Sequence, residues 1–139
     1  MWKRLLLASA MSITSAAQNV PTATMPSQPP SPLVLEWSNL PNLVGNVVKG
    51  SVIATNNSDI PFDQTIVVEA VNEIGKAFAI GYGHFTLDPH SQSERLRFNM
   101  TLPPGHYQIH ADGVAEEPKT RSIYRRHIES PMGFVVTII

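Results

Sequence analysis

A chain of 139 residues carries enough apolar surface for one domain and leaves little for a second core. With 15% charged residues and a net charge of −1 it has no global attraction for phosphate backbones or anionic lipid, which argues against nucleic-acid binding. The absence of cysteine excludes disulfides, cysteine-ligated metal and thiol catalysis, so packing must hold the fold, and 12 Pro with 8 Gly favour a turn-rich, all-β chain.

The chain begins Trp2-Lys3-Arg4, continues through Leu5-Leu6-Leu7-Ala8-Ser9-Ala10-Met11-Ser12-Ile13 and reaches Ser15-Ala16-Ala17-Gln18. A charged start, an apolar stretch and a small-residue exit are the features of a secretory leader. The stretch is short of the roughly 20 residues that cross a bilayer, so no transmembrane span is expected. A second reading stays open beside the first. Leu6, Ala10, Ile13 and Ala17 recur at helical spacing and offer one weakly apolar face to a partner. Residues 1–19 therefore read as a leader-like or docking segment. Residues 20–32 carry five of the 12 prolines, and repeated proline removes amide donors and stiffens the chain into an extended linker.

Residues 33–139 change to short alternating runs separated by turn chemistry, about seven in all, which is the period-two pattern of half-buried strands. The first, 33–37, alternates Leu33, Leu35 and Trp37 against Val34 and Glu36. In 46–55, Val48, Gly50, Val52 and Ala54 share a face. Asn56-Asn57-Ser58-Asp59 and Pro61 then stop the ladder. Run 65–71 is apolar at Ile66-Val67-Val68, as in a central strand covered on both sides. Run 77–82 puts Phe78, Ile80 and Tyr82 in phase, with Gly81 and Gly83 marking a bulge or an edge. In 95–101, Leu96, Phe98 and Met100 face inward and Arg95, Arg97 and Asn99 outward; a slip of one residue would bury two arginines. In 106–112 the inward set is Tyr107, Ile109 and Ala111, and 133–139 ends on an apolar run that needs a partner strand.

Between the last two runs lies a long connection, residues 115–131, with Glu116-Glu117, Lys119, Arg121, Arg125, Arg126 and His127 interleaved with Ile123, Tyr124 and Ile128. Long connections inside a compact domain are often functional, and Arg and Tyr are favoured anchors at protein interfaces. Leu6, Ile13, Arg121, Tyr124, Arg125 and Arg126 are accordingly the candidate partner-binding residues. The competing reading of the same connection is an extra edge strand.

Little else in the sequence points to chemistry. His106 and His110 are four apart on one strand, about 13 Å at roughly 3.3 Å per residue, and do not share an ion unaided. His84, His90 and His127 read as residues in or beside turns, without metal-ligand spacing to an acidic partner. Gly81-Tyr82-Gly83 lacks the following helix that a dinucleotide site needs. No Ser stands in a nucleophile elbow, and carboxylates are scattered singly. No catalytic residue, cofactor or metal is expected. Asn56 and Asn99 begin Asn-x-Ser/Thr sequons, whose use depends on host and compartment.

The segment Leu102-Pro103-Pro104-Gly105-His106-Tyr107-Gln108-Ile109 resembles the corner entering the penultimate strand of immunoglobulin-like and fibronectin type III-like domains, where a Tyr hydroxyl bonds back to nearby backbone. That resemblance implies an immunoglobulin-like β-sandwich of about seven strands with an extended N-terminal arm, and makes Tyr107 the corner tyrosine. Strand count, spacing and Asn56-Asn57-Ser58-Asp59 also look like domains of this group in bacterial, archaeal and phage surface proteins. The chain departs from antibody-type domains by lacking the inter-sheet cysteines, and Trp37 does not take the place of a core Trp. Fold resemblance implies no activity.

Two functions from different classes fit these observations. One is a non-catalytic structural protein whose N-terminal arm attaches the sandwich to a larger assembly, such as a virion decoration or cement protein or a surface filament, with protein partners and homo-oligomers expected. The other is a secreted adhesion or ligand-binding module released by leader cleavage. Both place it at a virion or cell surface.

Overall fold

The computed structural model describes residues 31–137. Among them run nine strands: β1 Leu33–Val44, β2 Val47–Asn56, β3 Phe62–Asn72, β4 Ala77–Leu87, β5 Ser91–Gln92, β6 Leu96–Thr101, β7 Gly105–Glu116, β8 Ile123–Glu129 and β9 Phe134–Val136. They form two antiparallel sheets, and the architecture is an all-β sandwich. In the first sheet β2 is central, with β1 on one side and β5 and β6 on the other. The second runs β4-β3-β7-β8, and β9 pairs with the start of β7.

Side-chain alternation builds the interior. Phe62, Ile66, Val68 and Ala70 of β3 and Tyr107, Ile109, Ala111 and Ala115 of β7 are buried, as are Leu33, Leu35, Val48, Val52, Ala54 and Phe98 of the first sheet. Each large apolar side chain withdrawn from water contributes about 1.5–3 kcal/mol. Edge-to-face ring pairs tie the layer together: Trp37–Phe98 at 6.1 Å, Phe62–Tyr124 at 5.5 Å and Phe78–Tyr107 at 6.1 Å between centroids. Gly50 is required by close approach. A Cβ there would lie 2.7 Å from Phe98 Cζ and 3.0 Å from the Asn39 carbonyl oxygen, so only glycine admits the ring.

The β1–β2 connection is a two-residue turn, Gly45-Asn46, between paired Val44 and Val47. Gly45 has φ 65° and holds the first central position, where a type II′ hairpin turn needs a left-handed residue. Asn56 closes the opposite end of β2. Its buried amide donates to the carbonyls of Ile60 (2.7 Å), Leu87 (3.2 Å) and Asp88 (3.1 Å), while its Oδ1 accepts from Ser58 N and Oγ. One side chain thereby joins β2 of the first sheet to the end of β4 in the second. Tyr107 makes a comparable lock, its hydroxyl donating to the Pro103 carbonyl at 2.7 Å.

Several expectations are corrected. The seven anticipated runs correspond to β1, β2, β3, β4, β6, β7 and β9; β5 and β8 are additional. Of the two readings of the connection at 115–131, the extra edge strand is the one present, not a long loop. The connection's first residues continue β7, and β8 returns along β7 as an edge strand, leaving residues 117–122 as the turn. Tyr82 is 65% exposed instead of sharing a face with Phe78 and Ile80. Val68 pairs with Gly81 and Glu69 with Ala79, so Ile80 is an extra residue and the phase of β4 reverses there. Residue 67 of β3 is only partly covered, and the strand alternates instead of being buried on both faces. Met100 is 40% exposed because β6 pairs with β2 alone, which leaves its last inward position at the rim. Asn56 is buried and fully engaged, so its sequon is not a surface feature. The proposed arm, with Leu6 and Ile13, lies outside the described residues, as do residues 138–139.

Candidate functional site

The outward face of the β4-β3-β7-β8 sheet carries His84, His110 and His127 beside Asp63, Asp112 and Glu129. Antiparallel pairing decides which ones meet, because residues opposite each other point to the same face. One row across the sheet is Tyr82, Val67, Asp112 and His127, and the next is Ala79, Glu69, His110 and Glu129. Two adjacent pairs at the β7–β8 edge thus form a square of His110, Asp112, His127 and Glu129.

Within the square, His127 is held on both sides. Its Nδ1 lies 2.6 Å from Asp112 Oδ1 and its Nε2 lies 2.9 Å from Glu129 Oε2. An ionised carboxylate only accepts, so two such partners favour the protonated ring, which donates from both nitrogens. The hydrogen bond to Glu129 and then that to Asp112 raise the His127 pKa above its usual value, while the bond from His127, followed by the charge of His110, lowers that of Glu129. His110 packs edge-on against the His127 ring with centroids 5.0 Å apart, and its Nε2 is 3.9 Å from Glu129 Oε2. The Trp37 indole N–H donates to the Glu129 carbonyl at 3.1 Å, which pins the end of β8 to β1. One ligand atom from each of His110, His127 and Glu129 lies within 4.8 Å of the other two, so among the described residues these could hold a metal ion.

A second polar chain crosses the same face. Thr65 Oγ1 lies 2.8 Å from His84 Nδ1, and His84 Nε2 lies 3.0 Å from Asp63 Oδ1. It resembles a relay only in its order of groups. Of the strands that carry it, β3 is hydrogen-bonded on both sides and β4 on one only.

The candidate partner-binding residues separate. Arg121 sits in the β7–β8 turn with φ 63° and pairs with Glu116. Arg125 is exposed on the outward face. Tyr124 and Arg126 point the other way: Tyr124 packs on Phe62, and Arg126 Nε donates to the Leu33 carbonyl at 3.0 Å, bridging β8 to β1. Alternation along β8 therefore divides the set between the two faces, and they do not make one contact patch. His84 and His127 lie within strands, not beside turns as expected; His90 is in a turn, 2.6 Å from Asp59. The square was missed because its members are 2 to 19 positions apart in sequence and meet only through register. Its signal was present: His110 with Glu129 and Asp112 with His127 share one sum of residue numbers, the mark of a single antiparallel hairpin.

A cleft of about 520 Å³ opens at the sandwich's other edge, between β4 and the β5–β6 segment, lined by Phe85, Leu87, Asp88, Ser91, Arg95 and Leu96 among others.

No protein-family model matches the chain, and no curated protein matches it. Among solved structures it is similar to Spo0M, the sporulation control protein of Bacillus subtilis, at 14% identity and a TM-score of 0.40 over 76% of this chain. The chain spans about half of that protein, 49% of its length. The likeness is weak and carries no function across.

Proposed function

We propose that the chain is a non-catalytic binding module, an immunoglobulin-like sandwich serving as the rigid body of a larger protein assembly at a virion or cell surface. The observation that carries this reading is the outward face of β4-β3-β7-β8. Its polar side chains stand on an open sheet face whose central strands, β3 and β7, are hydrogen-bonded on both sides, which suits contact with another surface better than enclosure of a reacting molecule. The Tyr107–Pro103 bond supports the immunoglobulin-like assignment, since a corner of this kind closes such domains. In this reading residues 1–32 are the attaching arm and the partners are proteins, further copies of the chain included.

Light scattering on the full chain and on residues 31–139 tests the proposal. The full chain is expected to run as an oligomer or bind its assembly while residues 31–139 run as monomers. Monomers from both, together with a native N-terminus at Gln18 by mass spectrometry, would replace it with the secreted adhesion module, for which the leader-like start speaks.

A further inference from the structure

We propose that His110, His127 and Glu129 form a binding site for a divalent transition-metal ion of the zinc type, with Asp112 as the carboxylate that orients His127. The inference stands apart from the assembly reading and does not depend on it.

The site is a product of strand register. His110 of β7 faces Glu129 of β8, and Asp112 faces His127, with opposed Cβ atoms in such pairs roughly 4.5–5.5 Å apart. Two positions further along each strand the side chain returns to the same face, so two cross-strand pairs bring four groups to one patch. Zinc bonds of about 2.0–2.1 Å to nitrogen or oxygen place neighbouring ligand atoms of a tetrahedron roughly 3.3 Å apart. The separations of 2.9 Å for His127 Nε2 to Glu129 Oε2 and 3.9 Å for His110 Nε2 to Glu129 Oε2 lie on either side of that value, and the three ligand atoms all lie within 4.8 Å of one another. Small side-chain rotations at half-exposed positions reach it without moving the strands.

Ligand chemistry selects the ion. Two imidazoles and one carboxylate suit zinc, cobalt or nickel, whereas calcium and magnesium ask for oxygen. Asp112 adds the feature that distinguishes a ligand set from a chance ion pair: it already holds His127 Nδ1 at 2.6 Å, which fixes the ring and turns Nε2 toward Glu129. Metal-ligating histidines are characteristically braced in this way at the nitrogen that does not bind. The Trp37 indole, bonded to the Glu129 carbonyl, holds the second ligand-bearing position of β8.

Loading is a proton-for-metal exchange. The proton between His127 Nε2 and Glu129 Oε2 leaves to solvent, the freed nitrogen lone pair and the carboxylate oxygen bind the ion, and His110 Nε2 supplies the third ligand as neutral imidazole. Water takes the fourth position, which faces solvent. Because one ligand comes from β7 and two from β8, the ion clips the edge strand to its neighbour.

Calorimetric titration of the untagged, chelator-stripped full chain with zinc chloride tests the site. The expected result is saturable binding of one ion per chain, a loss of at least tenfold in affinity for His110→Ala and for His127→Ala, and a loss of about 10- to 100-fold for Asp112→Asn. His84→Ala and His90→Ala are expected to bind like the parent chain. Cobalt in place of zinc is expected to give the visible absorption of a four-coordinate nitrogen–oxygen site. Circular dichroism of each metal-free variant guards against loss of fold, and Glu129→Gln serves if a histidine variant does not fold. Absence of saturable heat overturns the proposal. So does binding undiminished by His127→Ala, or binding that vanishes with His84→Ala or His90→Ala instead.

Discussion

Along β7, Tyr107, Ile109 and Ala111 alternate with Gln108, His110 and Asp112, and the two sets meet different surroundings. The first is buried against the opposite sheet, and the second is partly open to water on the outward face. A single strand thus carries two programmes at period two, one for cohesion and one for chemistry. The difference teaches that the inner set answers to volume and shape, whereas the outer set answers only to which strand lies alongside. Changes on the two faces should therefore separate in unfolding experiments.

Ile109→Ala is the strongest way to test that separation. Ile109 is fully buried, and truncation there is expected to cost about 4 kcal/mol by urea denaturation, the lost transfer energy plus a cavity. Asn56→Ala comes next, at about 3 kcal/mol. The loss is of a different kind, since it removes the buried amide's bonds to the carbonyls of Ile60, Leu87 and Asp88, leaving Ile60 and Asp88 with the hydroxyls of Ser58 and Ser91. If it proved as mild as a surface change, the inner face would be tolerating unpaired polar groups.

Tyr107→Phe should cost about 1 kcal/mol through the lost bond to Pro103, and it carries a pH signature. Burial first, and the neighbouring Glu73 carboxylate second, raise the Tyr107 pKa above the ordinary 10.0. The folded state thus keeps the phenol neutral where the unfolded chain has begun to ionise. The contribution is whole below the unfolded pKa and is lost as pH rises through it toward the folded value. Unfolding measured across the alkaline range should show this decline in the parent chain and lack the Tyr107 part of it in the phenylalanine variant. The smallest effect is expected for His110→Ala without metal, within about 0.5 kcal/mol, as for substitutions away from packed or buried polar features. A larger loss would mean that the outer face also holds the fold.

The inward positions of β6 and β7 were legible because Phe98, Tyr107, Ile109 and Ala111 alternate with polar neighbours, and hydrophobic period reports burial directly. Met100 and Tyr82 kept that period and are still exposed. The first is governed by its place on an edge strand and the second by an inserted residue, neither of which a local pattern records. Strand β8 was harder. Its half-buried Tyr124, Arg126 and Ile128 include a charged residue, so its alternation is blurred, and the inward Arg126 bonds to the Leu33 carbonyl. The His110–His127–Glu129 cluster was hidden for a related reason. Residue type makes each member a candidate ligand, but proximity depends on the β7–β8 pairing, which becomes visible only once the connection is recognised as a hairpin.

The extra residue in β4 also sets where this strand tolerates a change of length. Excising Ile80 would remove one buried core side chain yet leave Phe78, Gly81, Gly83, Phe85 and Leu87 pointing inward, because the strand would return to plain alternation. Shortening by one at Thr86 would instead force part of the strand to turn over, bringing His84 toward the interior or Leu87 toward water. Length variation in this strand is thus confined to a single joint.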